Sequence, residues 1–179
     1  MSVKYGNGIG IDRGALWNER HNEHYRVSGD SFIKVDANGS STVLGTVSGL
    51  DTASLPYSFN TQGVLVDGRF WLYDKSGGTF TEVTDPDLGD PIDASWIDGY
   101  YIFTDGEYIY HTDIASETSI DPLKYATAEF SPDATLGVAK TSDNKFRAFG
   151  RYTIEDFVNQ ANENFAFTRT DRDWETISV

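Results

Sequence analysis

The sequence lacks the elements on which secreted and membrane proteins depend. It contains no cysteine, which excludes a disulfide framework and thiol chemistry. It has no apolar run of the roughly 18 residues that a transmembrane helix requires. Its first residues, MSVKYGNGIGIDRG, lack the apolar core of a signal peptide. We therefore expect a soluble protein that is made without secretion and has no membrane contact.

Basic residues are also few. The chain has 14 Lys and Arg against 28 Asp and Glu, a formal net charge of −14 at pH 7. Broad contact with DNA phosphates depends on lysines and arginines that displace condensed counterions. Direct DNA binding, including sequence-specific binding, is therefore not expected. The densest acidic stretch, DPDLGDPIDASW at 85–96, is typical of a solvated loop, with a divalent-cation site as the alternative.

Helical periodicity is scarce before residue 150. The clearest candidate is TIEDFVNQANENF at 153–165, where Thr153 suits an N-cap and Asp156 the first turn. Its apolar residues share one face at helical spacing. They are Ile154, Phe157, Val158 and Ala161. The sequence thus predicts one short helix near the C-terminus.

Hairpin signals, by contrast, are abundant. In ASWIDGYYIFTDGEYIYHTD, residues 94–113, Asp-Gly occurs twice. Asp-Gly between aromatic or alternating runs favours two-residue primed turns, because these turns need positive φ, which Gly adopts freely and Asp tolerates. We expect an antiparallel meander with strands at 94–97, 100–104 and 107–112.

A second stretch repeats this plan. In GVLVDGRFWLYDKSGGTFTEVT, residues 63–84, the segment VDGRFWLYD aligns with IDGYYIFTD. Fainter copies occur at 25–47 and 137–154. We expect the turn glycines to have positive φ and a structural role. They are Gly68, Gly99 and Gly106.

Repeated meanders at irregular spacing are typical of propeller blades. The predicted fold is all-β, with antiparallel meanders arranged as propeller-like blades of a complete or an incomplete propeller. An unrelated sandwich or meander is the alternative. We place an N-terminal arm and first strands at 1–24, a domain of about four blade-like units at 25–168, and a C-terminal tail at 169–179. The predicted blade cores contain Phe32, Val64, Leu72, Trp96, Tyr101, Phe103, Ile109 and Phe149.

Two stretches have some features of metal sites. NERHNEH at 18–24 supplies His21 and His24 with nearby glutamates, but the next residues indicate a strand, where the two histidines would point to opposite sides. DANGSS at 36–41 begins like a calcium loop, but position twelve is Val47 rather than the required glutamate. A hairpin turn is the better interpretation of the second stretch, and no metal or other cofactor is predicted.

Catalysis is not predicted either. Asp and Glu lie near aromatics in SWIDGYY and TAEF, as the paired carboxylates of glycosidases do, so a carboxylate-based hydrolase is one alternative. The turn geometry already explains the Asp-Gly positions. The chain has no Gly-rich phosphate loop, nucleophile elbow or His-Glu-x-x-His motif.

Taken in order, four stretches resemble one known family. They are DRGALWNERHNEHYRVSGDSFIKV at 12–35, GVLVDGRFWLYD at 63–74, ASWIDGYYIFTD at 94–105, and DPLKYATAEFSPDATLGVAKTSDNKFRAFGRYTIEDF at 121–157. The chain is similar to the phage stabilisation family, the packaged-DNA stabilisation or tail hub proteins of short-tailed phages of the Salmonella-phage type. The resemblance covers roughly 12–168, whereas members of the family are longer and the final TRTDRDWETISV does not match it.

This resemblance implies a virion structural protein of the tail, made in the bacterial host cytoplasm. It implies binding below the portal and adaptor ring, closure of the channel, retention of packaged DNA and a seat for the tail needle. A homo-oligomeric ring, with a hexamer as the expected form, also follows from it. The alternative is a carbohydrate- or protein-binding module without catalysis. Interaction candidates, chosen because such residue types are common anchors, are Trp17, Arg20 and Tyr57.

Overall fold

The computed structural model describes residues 10–127 and 133–170 and the backbone of 175 and 176. This part of the chain is all-β, and its strands form antiparallel meanders. No helix long and apolar enough to span a membrane occurs among these residues. The chain divides into two compact units, Met1–Val83 and Thr84–Val179, and each contains two blade-like sheets.

The first unit contains sheets A and B. Sheet A consists of β1 (Asp12–Asn18), β2 (Glu23–Ser28), β3 (Ser31–Val35) and β4 (Ser41–Thr46), in sequence order. Sheet B consists of β5 (Thr61–Val66), β6 (Arg69–Asp74) and β7 (Thr79–Glu82), also in order. Their shared core is aromatic: Phe32 stacks on Tyr25 at 5.5 Å and on Phe80 at 5.2 Å between ring centroids. Such stacking adds to the free energy of burial.

The second unit contains sheets C and D. Sheet C consists of β8 (Asp93–Ile97), β9 (Tyr100–Thr104), β10 (Tyr108–Thr112) and β11 (Ile120–Thr127). Sheet D consists of β12 (Thr135–Lys140), β13 (Phe146–Gly150), β14 (Thr153–Asn159), β15 (Phe167–Arg169) and β16 (Glu175–Thr176), with β16 also paired to β14. β12 lies along β8, where Asp93 Oδ2 accepts a hydrogen bond from the Val138 amide at 2.9 Å. The core holds Ile97, Ile102, Ile109, Phe146 and Phe157.

The two aligned hairpins have the same turn. Asp67 and Gly68 have φ of 47° and 71°, and Asp98 and Gly99 have φ of 53° and 93°. Positive φ at both central residues is the requirement of the type I′ turn. The sequence pattern therefore dictates the local geometry at both positions.

The connection between β9 and β10 differs from the expected two-residue turn. β9 ends at Thr104 and β10 begins at Tyr108, so three residues connect them, and Gly106 has φ of 100°. Asp105 Oδ1 accepts hydrogen bonds from the amides of Glu107 (2.9 Å) and Tyr108 (2.7 Å). This side-chain cap holds Glu107 in the turn rather than in the strand.

The predicted helix at 153–165 is wrong. Residues Thr153–Asn159 form strand β14, which pairs with β13. Phe157 stacks on Phe146 at 4.7 Å, and Asp156, on the opposite face, pairs with Arg147 at 2.5 Å. Pairing in the sheet overrides the local helical spacing, because it buries alternate residues on both faces.

The predicted core is largely confirmed. Six of its residues are buried: Phe32, Val64, Leu72, Tyr101, Phe103 and Ile109. Phe149 is wrong, because it lies in β13 with 37% of its surface exposed. Trp96 is only partly buried and has the Lys140 ammonium 5.7 Å from its ring centroid.

Candidate functional site

The three interaction candidates lie in the first unit. Trp17, in β1, is 54% exposed. Tyr57 is half-buried and forms an isolated antiparallel β-bridge with Gln62. Arg20 is exposed, and its guanidinium lies 4.3 Å from the ring centroid of Phe59. That contact brings the β1–β2 turn next to the loop that carries Tyr57. Phe59, itself exposed, was not singled out from the sequence.

The histidines of this unit do not form a metal centre. His21 is buried, and its Nδ1 lies 2.8 Å from the Tyr25 hydroxyl, which donates to Glu23 Oε2 at 2.5 Å. Burial, assisted by the positive charge of Lys75, lowers the pKa of His21 below its usual value. Among the described residues, no three His, Cys, Asp or Glu side chains group as a metal site.

The DANGSS stretch forms a hairpin turn. The amide of Asp36 donates to the Ser40 carbonyl at 2.9 Å, and the amide of Ser40 donates to Asn38 Oδ1 at 2.9 Å. The side-chain oxygen of Asn38 therefore satisfies the turn rather than a cation.

The turn aspartates of the two hairpins bind neighbouring segments of their own units. Asp67 Oδ2 accepts a hydrogen bond from the Leu50 amide at 3.0 Å. The Asp98 carboxylate accepts hydrogen bonds from the side-chain amides of Asn144 (3.2 Å) and Asn159 (3.3 Å). These contacts give both carboxylates a structural role.

A cavity of about 300 Å³ lies at the outer part of sheet C. We call it the tyrosine cavity. It is lined by Asp87, Leu88, Gly89, Asp105, Tyr108, Tyr110, Ile120, Asp121, Pro122 and Tyr125.

The buried lining of the cavity is fixed by hydrogen bonds. The hydroxyl of buried Tyr110 donates to the Leu88 carbonyl at 2.6 Å. Burial raises the pKa of Tyr110, so this hydroxyl stays protonated at neutral pH. The amide of Ile120 donates to Asp85 Oδ2 at 3.2 Å. The 85–88 loop is thereby fastened to β10 and β11.

Two further tyrosines form an aromatic pair in the lining. Tyr108 and Tyr125 lie edge to face, with ring centroids 5.0 Å apart. Tyr125 is 49% exposed. The neighbouring Glu107 carboxylate, which accepts a hydrogen bond from the Tyr108 hydroxyl, raises the pKa of Tyr108. The pair therefore presents aromatic surface to solvent through Tyr125.

Carboxylates supply the charge of the cavity. Asp87, Asp105 and Asp121 line it, and among the described residues its lining contains no Lys or Arg. Asp121 Oδ2 lies 3.6 Å from the Lys124 ammonium, which makes a closer ion pair with Asp113 at 2.7 Å. Acidic groups beside aromatic rings can bind a cation or a polar ligand.

Sequence reasoning missed this cavity. The pattern at 85–96 indicates a solvated loop, yet Leu88 within it is buried. The available signal was the recurrence of Asp in three short stretches, 85–90, 105–110 and 121–125, of which the second and third also contain Tyr. Only strand pairing between β10 and β11 shows that the second and third stretches meet.

The sequence matches a family model described as bacteriophage P22 Gp10, beta-propeller, over residues 3–173. The chain belongs to this phage stabilisation family. Membership carries a structural role in the phage virion and a virion-associated location. Comparison with curated protein sequences gives no match.

Solved structures agree with the propeller fold. A streptogramin B lyase matches with a TM-score of 0.67 at 15% identity, covering 92% of this chain and 56% of its own. A chain of the mitotic checkpoint complex gives 0.67 at 14% identity, with 99% and 53% covered. The Neurospora crassa Pan2 WD40 domain gives 0.64 at 7% identity, with 93% and 50% covered. This chain thus spans about half the length of these structures, and identities this low establish the fold alone.

Proposed function

We propose that this member of the phage stabilisation family is a component of the phage tail machine. It binds below the portal and adaptor ring, closes the channel, retains the packaged DNA and seats the tail needle. The observation that carries the proposal is the family match over residues 3–173. The chain is made in the bacterial host cytoplasm before it joins the virion.

The charge of the chain supports a mechanical form of retention. A net charge of −14 disfavours a grip on DNA phosphates. An acidic protein at the end of the channel repels DNA electrostatically and blocks its exit sterically. We therefore propose closure by a plug, without sequence-specific DNA contact, catalysis or a cofactor. Glycoside turnover by the purified chain would contradict the non-catalytic part of this proposal.

We also propose that the chain assembles into a homo-oligomeric ring, with a hexamer as the expected form. β11 supports this proposal because it is the last strand of sheet C and carries the exposed Leu123. Such an edge is available for pairing with another chain, and rings close through heterologous contacts. A monomer at micromolar concentration in light scattering would count against the ring.

Co-sedimentation with DNA-filled, tail-less heads that carry portal and adaptor tests the main proposal. Binding with reduced DNA leakage is the expected result. Binding without reduced leakage would restrict the role to docking. A folded chain that does not bind would overturn the proposal. Heads that lack the adaptor are the control, since binding to them should be lost.

The tyrosine cavity favours a second candidate function, a carbohydrate- or protein-binding module without catalysis. Its aromatic pair and carboxylates are groups that such modules use. Saturable binding of an oligosaccharide by the folded chain, combined with failure to bind heads, would favour this alternative.

A further inference from the structure

We propose that the tyrosine cavity binds the guanidinium group of an arginine presented by a partner protein. This inference goes beyond the proposed virion role, because it assigns a ligand chemistry to a particular surface of sheet C.

The charge of the cavity lining determines whether the ligand is a cation or an anion. Three aspartates line the cavity, and no lysine or arginine occurs among the lining residues that the structure describes. Within the described chain, the Asp87 carboxylate has no hydrogen-bond or ion-pair partner, and Asp105 uses only Oδ1 for its turn. Carboxylate oxygens therefore remain available to a donor. A cation is favoured over an anion or a neutral ligand.

The tyrosines select among cations. Tyr125 is half exposed and lies edge to face with Tyr108 at 5.0 Å, so aromatic surface stands beside the carboxylates. A guanidinium is planar and weakly hydrated, stacks on aromatic rings and forms paired hydrogen bonds with carboxylates. A lysine ammonium is a compact, strongly hydrated charge that uses the aromatic surface less well. The combination favours arginine over lysine.

Size points to one side chain. Small-molecule sites usually occupy about 300–1,000 Å³, and the tyrosine cavity, at about 300 Å³, lies at the lower limit. One arginine side chain suits this volume better than an oligosaccharide. The remainder of the partner would then contact the exposed rim, where Pro122 and Leu123 lie.

The cavity is preorganised for such a ligand. Tyr110 is held to the Leu88 carbonyl at 2.6 Å, and the Ile120 amide to Asp85 at 3.2 Å. Asp121 Oδ1 accepts a hydrogen bond from the Leu123 amide at 3.0 Å. Groups already held in place lose little conformational entropy on binding, which favours affinity.

Amide chemical-shift titration of the full isotope-labelled chain tests the proposal. The probes are three acetylated, amidated tripeptides, Gly-Arg-Gly, Gly-Lys-Gly and Gly-citrulline-Gly. We expect saturable shifts in sheet C with the arginine peptide, weaker binding of the lysine peptide and no binding of the neutral citrulline peptide. Because the isolated peptide needs no phage head, this inference and the proposed virion role can fail separately.

Variants assign the binding to the cavity. Asp87→Asn and Tyr125→Leu should each weaken arginine-peptide binding by about two- to fivefold, the range for a partly exposed ion pair or cation–π contact. Asp90→Asn is the matched control, because it removes the same charge from the same loop but Asp90 does not line the cavity. Its affinity should fall less than that of Asp87→Asn, because the Asp90 charge acts on cavity-lining Tyr110 only through space. Unchanged amide spectra without peptide verify that each variant is folded.

Three results would overturn the proposal. The first is the absence of saturable shifts with the arginine peptide. The second is equal binding of arginine and lysine peptides that Asp90→Asn weakens as much as Asp87→Asn, since only net charge would then be recognised. The third is binding of an oligosaccharide such as cellobiose in the cavity without binding of the arginine peptide.

Discussion

Sheets B and C are built on the same hairpin and differ in their outer strands. The segments VDGRFWLYD and IDGYYIFTD align without gaps, and both contain a turn with positive φ at Asp and Gly. Phe70 and Tyr101 occupy equivalent positions, and both are completely buried. The inner strands thus share one solution to burial and turning.

The outer strands place different side chains against the shared hairpin. In sheet B, the register places Thr81 opposite Leu72, and the sheet ends with β7. In sheet C, Tyr110 lies opposite Phe103, and β11 continues the sheet. Tyr110 and β11 create the tyrosine cavity. The inner hairpin therefore fixes the blade, whereas the outer strands vary its surface.

Removal of a buried aromatic ring from an inner strand has the largest expected effect, and it tests whether the two inner hairpins contribute equally to stability. Phe70→Ala and Tyr101→Ala should each lower the free energy of unfolding by about 3–5 kcal/mol, because each removes a fully buried aromatic ring. Urea denaturation measures both. Leu123→Ala, at an exposed position, is the control and should change stability by no more than about 0.5 kcal/mol. A small loss for only one of the two rings would break the equivalence.

A smaller effect is expected at the turns. Gly99→Val and Gly68→Val should each cost about 1–3 kcal/mol, because a β-branched residue is strained at positive φ. At Gly99 a Cβ would meet nothing closer than Ile114 Cγ1 at 3.8 Å, so the cost there comes from the backbone alone. Urea denaturation again provides the measurement.

Asparagine at position 99 tests whether backbone strain causes the loss of stability. Gly99→Asn should recover most of the lost stability, because asparagine tolerates the left-handed region better than valine does. Equal stability of the Gly99→Val variant and the unaltered chain would contradict the turn assignment.

The fold was predictable where local chemistry and tertiary contacts agree. Asp-Gly between aromatic runs predicted the hairpins, since the turn needs positive φ and the strands bury alternate residues. The strand at Thr153–Asn159 was not predicted, because its sequence also fits helical spacing. Contacts with the preceding strand decide the structure: Thr153–Asn159 pairs with β13, Phe157 stacks on Phe146 and Asp156 pairs with Arg147.

The candidate site was less predictable than the fold. The residues of the tyrosine cavity come from three stretches that lie up to 38 positions apart, from Asp87 to Tyr125. Local patterns specify the turns in these stretches but not that their side chains meet. The register of β10 with β11, which places Tyr110 opposite Tyr125, supplies that information.

A further contrast concerns one pair of equivalent positions. Arg69 in sheet B aligns with Tyr100 in sheet C, and the register places Glu82 where sheet C has His111. Sheet B has a surface ion pair there, with Arg69 Nε and Glu82 Oε1 2.7 Å apart. Sheet C instead has buried rings, with 4.8 Å between the centroids of Tyr100 and His111.

The stability of the chain should depend on pH through His111. Its Nδ1 lies 2.8 Å from the Thr112 carbonyl, and its Nε2 accepts a hydrogen bond from the Ala166 amide at 3.1 Å. Burial lowers the pKa of His111, so below about pH 6.5 the unfolded chain takes up a proton that the folded chain resists. The free energy of unfolding should therefore be fully retained above that pH and fall as the pH drops.

Replacement of the imidazole tests whether His111 causes this pH dependence of stability. His111→Gln should lower stability at neutral pH but give a shallower fall between about pH 7 and about pH 5.5, the range in which histidine titrates. Urea denaturation at constant ionic strength provides both slopes. His21, whose pKa burial also lowers, remains in the variant, so the pH dependence should shrink rather than vanish. Identical slopes would show that His111 does not contribute.

The smallest effect is expected at the equivalent surface pair of sheet B. Glu82→Gln should reduce stability less than the substitutions at Phe70, Tyr101, Gly68, Gly99 and His111, apart from the Gly99→Asn rescue variant, because exposed ion pairs contribute little and salt screens them. The loss should decrease further as salt is raised. Arg69 also lies over the Trp71 ring at 5.4 Å and donates to Ser48 Oγ at 3.0 Å, contacts that the Glu82 variant retains. A loss comparable to that of Phe70→Ala, or one that salt does not reduce, would mean that sheet B depends on this pair as sheet C depends on its buried rings.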